Sequence, residues 1–130
     1  VDRSPRIALS YLDEKGNTAI ASADQLAVLL AQTFLRTRLL FATDVDGVYR
    51  QFPPKKGELP VQHLTRSELR LIIDTGTEEH SRFDVTGSMI GKLRSLLPLH
   101  NKRVMIFNGN DPHVLGRAVR GKKIGTTVQL

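Results

Sequence analysis

The segment Leu39–Tyr49, "LLFATDVDGVY", decides which fold the sequence predicts. Its first part is an apolar run that ends at Thr43, which is typical of a strand covered on both faces of a parallel sheet. The following residues are acidic and include Gly47, so the chain turns where the strand ends. The segment therefore predicts a central parallel strand whose carboxyl end presents polar groups at the edge of a sheet.

Extended and helical patterns alternate on both sides of this strand. Residues 6–12 and 18–21 are predicted to form a hairpin around the turn "DEKGN". The stretch "SADQLAVLLAQTFL" (22–35) predicts a helix that is buried nearly all round, with Ser22 and Gln25 as its capping box. Residues 50–63 contain three prolines and predict a loop.

The carboxyl-terminal half continues the alternation. A capping box of Thr65 and Glu68 predicts a helix to about Ile73, and the polar residues 74–83 predict a mobile segment. Further elements are predicted as a helix from Thr86 to Pro98, a strand over 103–107, a helix from Pro112 to Val119 capped by Asp111, and a final strand in "IGTTVQL". The order predicts a three-layer α/β/α sandwich with a mainly parallel sheet.

Composition limits the protein class. The 130 residues are 40% hydrophobic, enough for one domain, 1–130, with a packed core. No apolar run reaches the about 18 residues of a membrane span, and the absence of cysteine favours a cytoplasmic setting and excludes thiolate metal sites. A net charge of +6 favours anionic partners, but 5% aromatic residues without basic-aromatic interleaving argue against nucleic acid.

Three segments are predicted to meet where ligands bind in open α/β sheets, beyond the strand ends. They are Ser22–Asp24, Thr43–Tyr49 and "DVTGSMIGK" (84–92), and Asn108-Gly109 is a possible fourth. Gly47 would let the backbone approach a ligand, and Tyr49 would flank a base or ribose. A plain β-turn with capping aspartates explains the second segment equally well.

Lys92 is the candidate cation of this region. We place it about one turn inside its helix, where the N–H groups of Gly87–Met89 would favour a phosphate. Asp24 lies in the first turn of another helix and could hold the lysine ammonium in place for phosphoryl transfer. The alternatives are a solvated lysine and an aspartate that only caps its helix.

Five motifs in this order resemble the carboxy-terminal, nucleotide-binding half of the amino acid kinase superfamily: "IASADQLAVLLA", "LLFATDVDGVY", "DVTGSMIGKL", "MIFNG" and "GTTV". Within it the chain is most similar to the isopentenyl phosphate kinases. The resemblance implies transfer of the γ-phosphoryl group of ATP onto isopentenyl phosphate in isoprenoid biosynthesis, with Mg²⁺ bridging the nucleotide and no metal ligand assigned to this chain.

The resemblance also implies roles for individual residues. Asp24 would organise the catalytic lysines, and Lys92 would neutralise charge on the transferring group. Implied nucleotide contacts are Thr43, Asp44, Gly47, Val48, Tyr49, Gly87, Met89 and Lys92. Ser88 stands where family members usually have a second glycine.

The amino-terminal, substrate-binding half of such a kinase has no counterpart in this sequence. The resemblance therefore implies that the chain supplies an ATP site, acts with that other half, forms a homodimer when intact, and is inactive alone. Uridylate, acetylglutamate or fosfomycin kinase activity and a non-catalytic nucleotide-binding module are the alternatives. A basic nucleic-acid-binding domain is the third hypothesis, and no membrane partner is expected.

Overall fold

A computed structural model describes residues 10–12, 14–20, 22–50, 54–79 and 84–130. In chain order its elements are β1 (Ser10–Leu12), β2 (Thr18–Ile20), α1 (Ala23–Thr33), β3 (Arg38–Thr43), β4 (His63–Thr65), α2 (Arg66–Glu79), α3 (Asp84–Ser95), β5 (Arg103–Asn108), α4 (Pro112–Val119) and β6 (Thr126–Gln129). None of the helices in these ranges is long and apolar enough to cross a membrane.

The main sheet has four strands in the order β3-β5-β6-β4, and a separate antiparallel pair, β1-β2, forms the predicted hairpin. The β3–β5 and β4–β6 pairs are parallel, whereas β5–β6 is antiparallel. In the described chain β3 is an edge strand, so its predicted central position is wrong here. An apolar run indicates that both faces of a strand are covered, but it does not indicate whether both edges of the strand are paired.

Alternate side chains of the strands build a core on each face. Phe41, Val104, Ile106 and Val128 lie in one buried cluster with residues of α1, α2 and α3. Met105 and Phe107 face the other side and pack with Ala118 of α4. Helices therefore cover both faces of the sheet, which confirms the three-layer α/β/α prediction.

The helix α1 is much less buried than its sequence predicts. Only Val28 and Ala31 are fully buried, whereas Leu29 and Leu30 are 60% and 59% exposed. The Ser22 side chain makes no cap hydrogen bond, so the predicted capping box is also wrong. Because α1 touches only β3 and α3 among the described elements, nothing there covers its outer apolar face.

The second capping box is confirmed. The Thr65 N–H donates to Glu68 Oε2 at 2.8 Å, and the Glu68 N–H donates back to Thr65 Oγ1 at 3.3 Å. These bonds lower the pKa of the Glu68 carboxyl from its usual 4.5, with the backbone bond from Thr65 as the largest cause. The helix continues past Ile73 to Glu79, so its predicted end is wrong, and residues 80–83 lie outside the described ranges. The mobility of residues 74–79 stays a prediction.

The last helix and the last strand agree with the sequence. Asp111 caps α4 by accepting a hydrogen bond from the His113 N–H at 2.9 Å, Pro112 begins the helix, and Gly121 follows it with a φ of 79°. The strand β4 was missed, because three residues between a proline-rich loop and a helix give no periodic pattern.

Candidate functional site

The two ends of the sheet are chemically different. We call the end where β3 and β5 finish, at Thr43 and Asn108, the carboxyl rim, and the end where they begin, at Arg38 and Arg103, the amino rim. The helix α1 connects to β3 through residues 34–37, so it runs back along the strand and begins near the carboxyl rim. The predicted segment Thr43–Tyr49 lies at this rim, and Ser22–Asp24 belongs to the start of α1.

Asp24 and Lys92 form an ion pair with two contacts. The Lys92 ammonium donates to Asp24 Oδ1 at 2.7 Å and to Oδ2 at 2.8 Å. The Asp24 side chain is 28% exposed and the Lys92 side chain 16%, so the pair is partly shielded from water and less screened than a surface pair. An ammonium group has three hydrogens, which leaves one for a further acceptor.

The pair sits directly above the sheet. The Lys92 Nζ atom lies 4.8 Å from the centroid of the buried Phe41 ring, a cation–π contact. Since a strand rises about 3.3 Å per residue, Thr43 lies roughly 7 Å further along β3 than Phe41. An open cavity of about 540 Å³ adjoins the pair, lined by Ser22, Asp24, Gln25, Gly91, Lys92, Arg94 and Ser95.

The position of Lys92 within its helix differs from the prediction. The helix α3 begins at Asp84, so Lys92 lies in its last turn rather than near its start. Gly87 and Met89 are the fourth and sixth residues of the helix, and no contact in the described structure tests the anion site predicted over Gly87–Met89. The lysine is positioned by Asp24 and not by the positive end of the helix. Whether Gly87 and Met89 contact a nucleotide stays a prediction.

The loop after β3 is held by its own polar groups and by β5. Thr43 Oγ1 donates to the Val45 carbonyl at 2.9 Å, and the Gly109 N–H donates to the Thr43 carbonyl at 2.7 Å. The Asn108 amide donates to Asp46 Oδ1 at 2.9 Å. These bonds fix the loop geometry and leave Asp44 exposed at the rim.

Gly47 serves packing in this structure. A Cβ atom at this position would lie 2.7 Å from Thr126 Oγ1 and 2.9 Å from Pro60 Cβ. The neighbouring Val48 is buried, and its N–H donates to Thr126 Oγ1 at 2.8 Å. The absence of a side chain at Gly47 is thus explained without the close ligand approach predicted from the sequence.

Tyr49 is half-buried beside the loop. Burial, and then the carboxylates of Asp46 and Glu58, raise the pKa of its phenol above the usual 10.0. The hydroxyl is therefore neutral at physiological pH and can both donate and accept a hydrogen bond.

The structure brings Asp24 and Lys92 into direct contact, and it places the Thr43–Tyr49 loop at the same rim. In the described part of the chain no hydrogen bond joins the pair to that loop. Asn108, part of the possible fourth segment, holds the loop through Asp46. Thr126 and Gly125 were not predicted as site residues, although the motif "GTTV" contains both. Thr126 accepts the Val48 N–H, and a Cβ at Gly125 would lie 2.9 Å from the Asp46 carbonyl oxygen.

The described residues also bear on metal binding. Among them, no three histidine, cysteine, aspartate or glutamate side chains are grouped to hold an ion. Asp44 is an exposed carboxylate at the rim, and Asp46 already accepts a bond from Asn108. Such a donor set suits an ion that keeps its waters and binds mainly through a ligand's phosphates, as Mg²⁺ does.

Comparison with known proteins gives the family. The model of the amino acid kinase family matches residues 8–109, which is most of the chain. The chain belongs to the amino acid kinase family. Its fold also matches an X-ray structure of isopentenyl phosphate kinase with a TM-score of 0.65 and 25% identity, over 92% of this chain and 42% of that one.

Two curated relatives, which are different kinases, match the chain at similar sequence identity. The chain is 36% identical over 125 residues to the acetylglutamate kinase of Solibacter usitatus, covering 94% of this chain and 44% of the relative. It is 33% identical over 117 residues to the isopentenyl phosphate kinase of Methanothermobacter thermautotrophicus, covering 88% and 43%. The chain thus spans less than half the length of each of these amino acid kinases.

Proposed function

We propose that this chain supplies the ATP side of an ATP-dependent small-molecule kinase. The observation that carries the proposal is the Asp24–Lys92 pair, with both carboxylate oxygens bonded to one ammonium near the carboxyl rim. Phosphoryl transfer depends on positioning and on neutralising charge, so a held cation with one hydrogen left to donate suits that reaction.

In the proposed reaction an oxygen of the acceptor attacks the γ-phosphorus of ATP. The new P–O bond forms as the bond to ADP breaks, and ADP carries away the bonding electron pair. Asp24 fixes the lysine, the Phe41 ring supports the ammonium from below, and the third Lys92 N–H donates to an oxygen of the transferring group. Mg²⁺ bound to the nucleotide would supply further charge neutralisation, with Asp44 as the exposed carboxylate at that rim.

Isopentenyl phosphate is the proposed acceptor. The motifs "ATDVDGVY", "DVTG" and "FNG" support it, as does the 33% identical relative. Acetylglutamate is the second candidate, since the relative with 36% identity is an acetylglutamate kinase. Initial rates with each acceptor, at equal ATP concentration, distinguish the two: a kcat/KM at least tenfold higher for acetylglutamate would overturn the proposed acceptor while leaving the kinase intact.

The proposed partner of this chain is the other half of the same kinase. The β3 edge carries no strand in the described structure, and Leu29, Leu30, Phe34 and Leu35 are exposed on the neighbouring helix end. Because an amino acid kinase relative is about twice as long as this chain, a second half is the occupant that fits both features. The homodimer remains part of the proposal and would be checked by sedimentation of the longer protein.

Lys92→Met in the longer protein tests the proposed function. We expect kcat to fall about 10²- to 10³-fold, the usual effect of losing one group that stabilises transition-state charge. The nucleotide Kd should change only a few fold. Lys56→Met removes the same charge from an exposed loop and is the matched control. Equal turnover by the wild type and Lys92→Met, with both folded, would refute the kinase proposal.

A further inference from the structure

A second cavity lies at the amino rim, on the face of the sheet that carries α4. Its volume is about 340 Å³, at the lower end of small-molecule pockets. Within the described residues α4 contacts β3 and β5 but neither β6 nor β4, so part of this face stays uncovered. The apolar side chains of Leu40 and Met105 line the cavity, and Arg38, Arg103 and Lys123 lie around it.

The strand register explains this arrangement. Leu40, Met105, Thr127 and His63 form one row across the four strands. The next row towards the amino rim is Arg38, Arg103, Gln129 and Thr65. Each row is continuous because successive partners are direct neighbours, and both rows face the same side because their members are two residues apart.

Arg38 and Arg103 are therefore neighbours on adjacent strands. Like charges placed opposite each other in a sheet are destabilising. None of the cations around the cavity lies within ion-pair distance of a carboxylate in the described structure, where the ion pair formed is that of Asp24 and Lys92. The repulsion is thus left without a neutralising partner among these residues.

The hydrogen bonds of the two arginines do not neutralise their positive charges. Arg38 donates to the Val119 carbonyl at 2.9 Å, at the carboxyl end of α4, and Arg103 Nε lies 3.5 Å from Gln129 Oε1. Both partners are neutral, and each guanidinium has five N–H donors, so most of their donors remain available. A neighbouring cavity of about 440 Å³ shares both arginines and adds Arg36.

We propose that the amino-rim cavity binds a small organic anion, with a phosphate or carboxylate head and an apolar body. The head would lie between Arg38 and Arg103, where planar guanidinium groups donate paired hydrogen bonds to such oxygens. The apolar body would lie over Leu40 and Met105. This site is separate from Asp24 and Lys92, so it does not rest on the proposed kinase activity.

The two methionines of the chain make the proposal directly testable. Met105 lines the amino-rim cavity, whereas Met89 lies on α3 and packs against the core of the other face. In a chain labelled with ¹³C-methyl methionine, two resonances are expected, and Met89→Leu assigns them. Phenyl phosphate is the probe, with inorganic phosphate and phenol representing its head and its body alone.

We expect phenyl phosphate to shift the Met105 methyl resonance with saturation and to leave Met89 unchanged. Inorganic phosphate should bind at least threefold more weakly, and phenol should not saturate. Arg103→Gln should weaken phenyl phosphate at least tenfold. Arg70→Gln removes the same charge from the exposed side of α2 and should change the Kd less than twofold.

Three results would overturn the proposal. Equal weakening by Arg103→Gln and Arg70→Gln would show attraction by net charge alone. Loss of the Met105 shift in Lys92→Met would show that the probe binds at the carboxyl rim. A Met105 resonance that does not respond to 10 mM phenyl phosphate would show that the cavity holds no such ligand.

Discussion

At the carboxyl rim the Lys92 ammonium makes two hydrogen bonds to the carboxylate of Asp24. At the amino rim Arg38 lies beside Arg103 on the next strand, and no carboxylate of the described residues forms an ion pair with either arginine. The packing of α1 against α3 brings Asp24 to Lys92, whereas the strand register places Arg38 beside Arg103. At the carboxyl rim the protein itself supplies the counter-charge and orients the cation. At the amino rim the counter-charge has to come from outside the described residues, and the two rims should therefore respond oppositely to added anions and to charge removal.

After Lys92→Met, the largest effect is expected from Asp24→Ala in the longer protein. Without its partner the Lys92 ammonium loses two bonds and its fixed position, and we expect turnover to fall about 100-fold. Glu14→Gln, which removes one negative charge from the exposed β1–β2 turn, is the control for net charge. A loss of less than threefold in kcat for Asp24→Ala would mean that the carboxyl-rim pair is structural only.

Gly125→Ala should strongly destabilise the backbone beneath the carboxyl rim. Gly125 has a φ of 61°, and a Cβ there would collide with the Ile106 carbonyl oxygen. We expect the free energy of unfolding to fall by about 3 kcal/mol, from backbone strain and overpacking together.

Gly57→Ala is the matched control for that substitution. Its φ is 82°, but a Cβ there would meet nothing within 4 Å. Only the conformational strain of about 1 kcal/mol should remain, measured for both variants by urea unfolding. Equal losses in the two variants would contradict the packing explanation at Gly125.

A moderate effect is expected at the amino rim from Thr65→Ala, which removes the cap of α2. Stability at pH 7 should fall by about 1 kcal/mol. The lowered pKa of Glu68 stabilises the fold above pH 4.5, and that contribution is lost as the pH falls through the folded-state pKa. In Thr65→Ala the loss of stability below pH 4.5 should be smaller than in the wild type; an unchanged acid profile would contradict this.

The smallest effect distinguishes the rims most directly. Arg103→Gln removes the like-charge neighbour of Arg38 and should raise the free energy of unfolding by roughly 0.2–1 kcal/mol in a buffer without phosphate. Phenyl phosphate should stabilise the wild type and remove this difference. A decrease in stability for Arg103→Gln in the absence of anions would show that the two arginines do not repel.

The sequence predicted the helices and the layers of this fold better than it predicted which surfaces and strand edges are covered. Capping and turn residues such as Thr65 with Glu68, and Asp111 with Pro112, predicted helix starts because these bonds are local. Burial of α1 was overestimated, since Leu29 and Leu30 are as apolar as core residues while their exposure depends on what packs against them. The edge position of β3 depends likewise on partners distant in the chain.

Part of the candidate site was also predicted from the sequence and part was not. Asp24 and Lys92 were predicted as neighbours from motif and topology, and the structure joins them across 68 positions of sequence. The place of Lys92 within α3 was wrong, because the helix begins at Asp84, before the residues that the pattern marked as helical. The Arg38–Arg103 pairing could not be found in advance, since strand register is set by the folded sheet.

In the described ranges no strand pairs with the outer edge of β3, and this has a consequence for handling the protein. Natural sheets protect edge strands with lysines, prolines or bulges, because unpaired N–H and C=O groups template strand addition between copies. The sequence of β3, "RLLFAT", carries a single charge at its first position and no proline. We expect the isolated chain to aggregate through this strand at high concentration, and a charge introduced at the exposed Ala42 to slow that self-association.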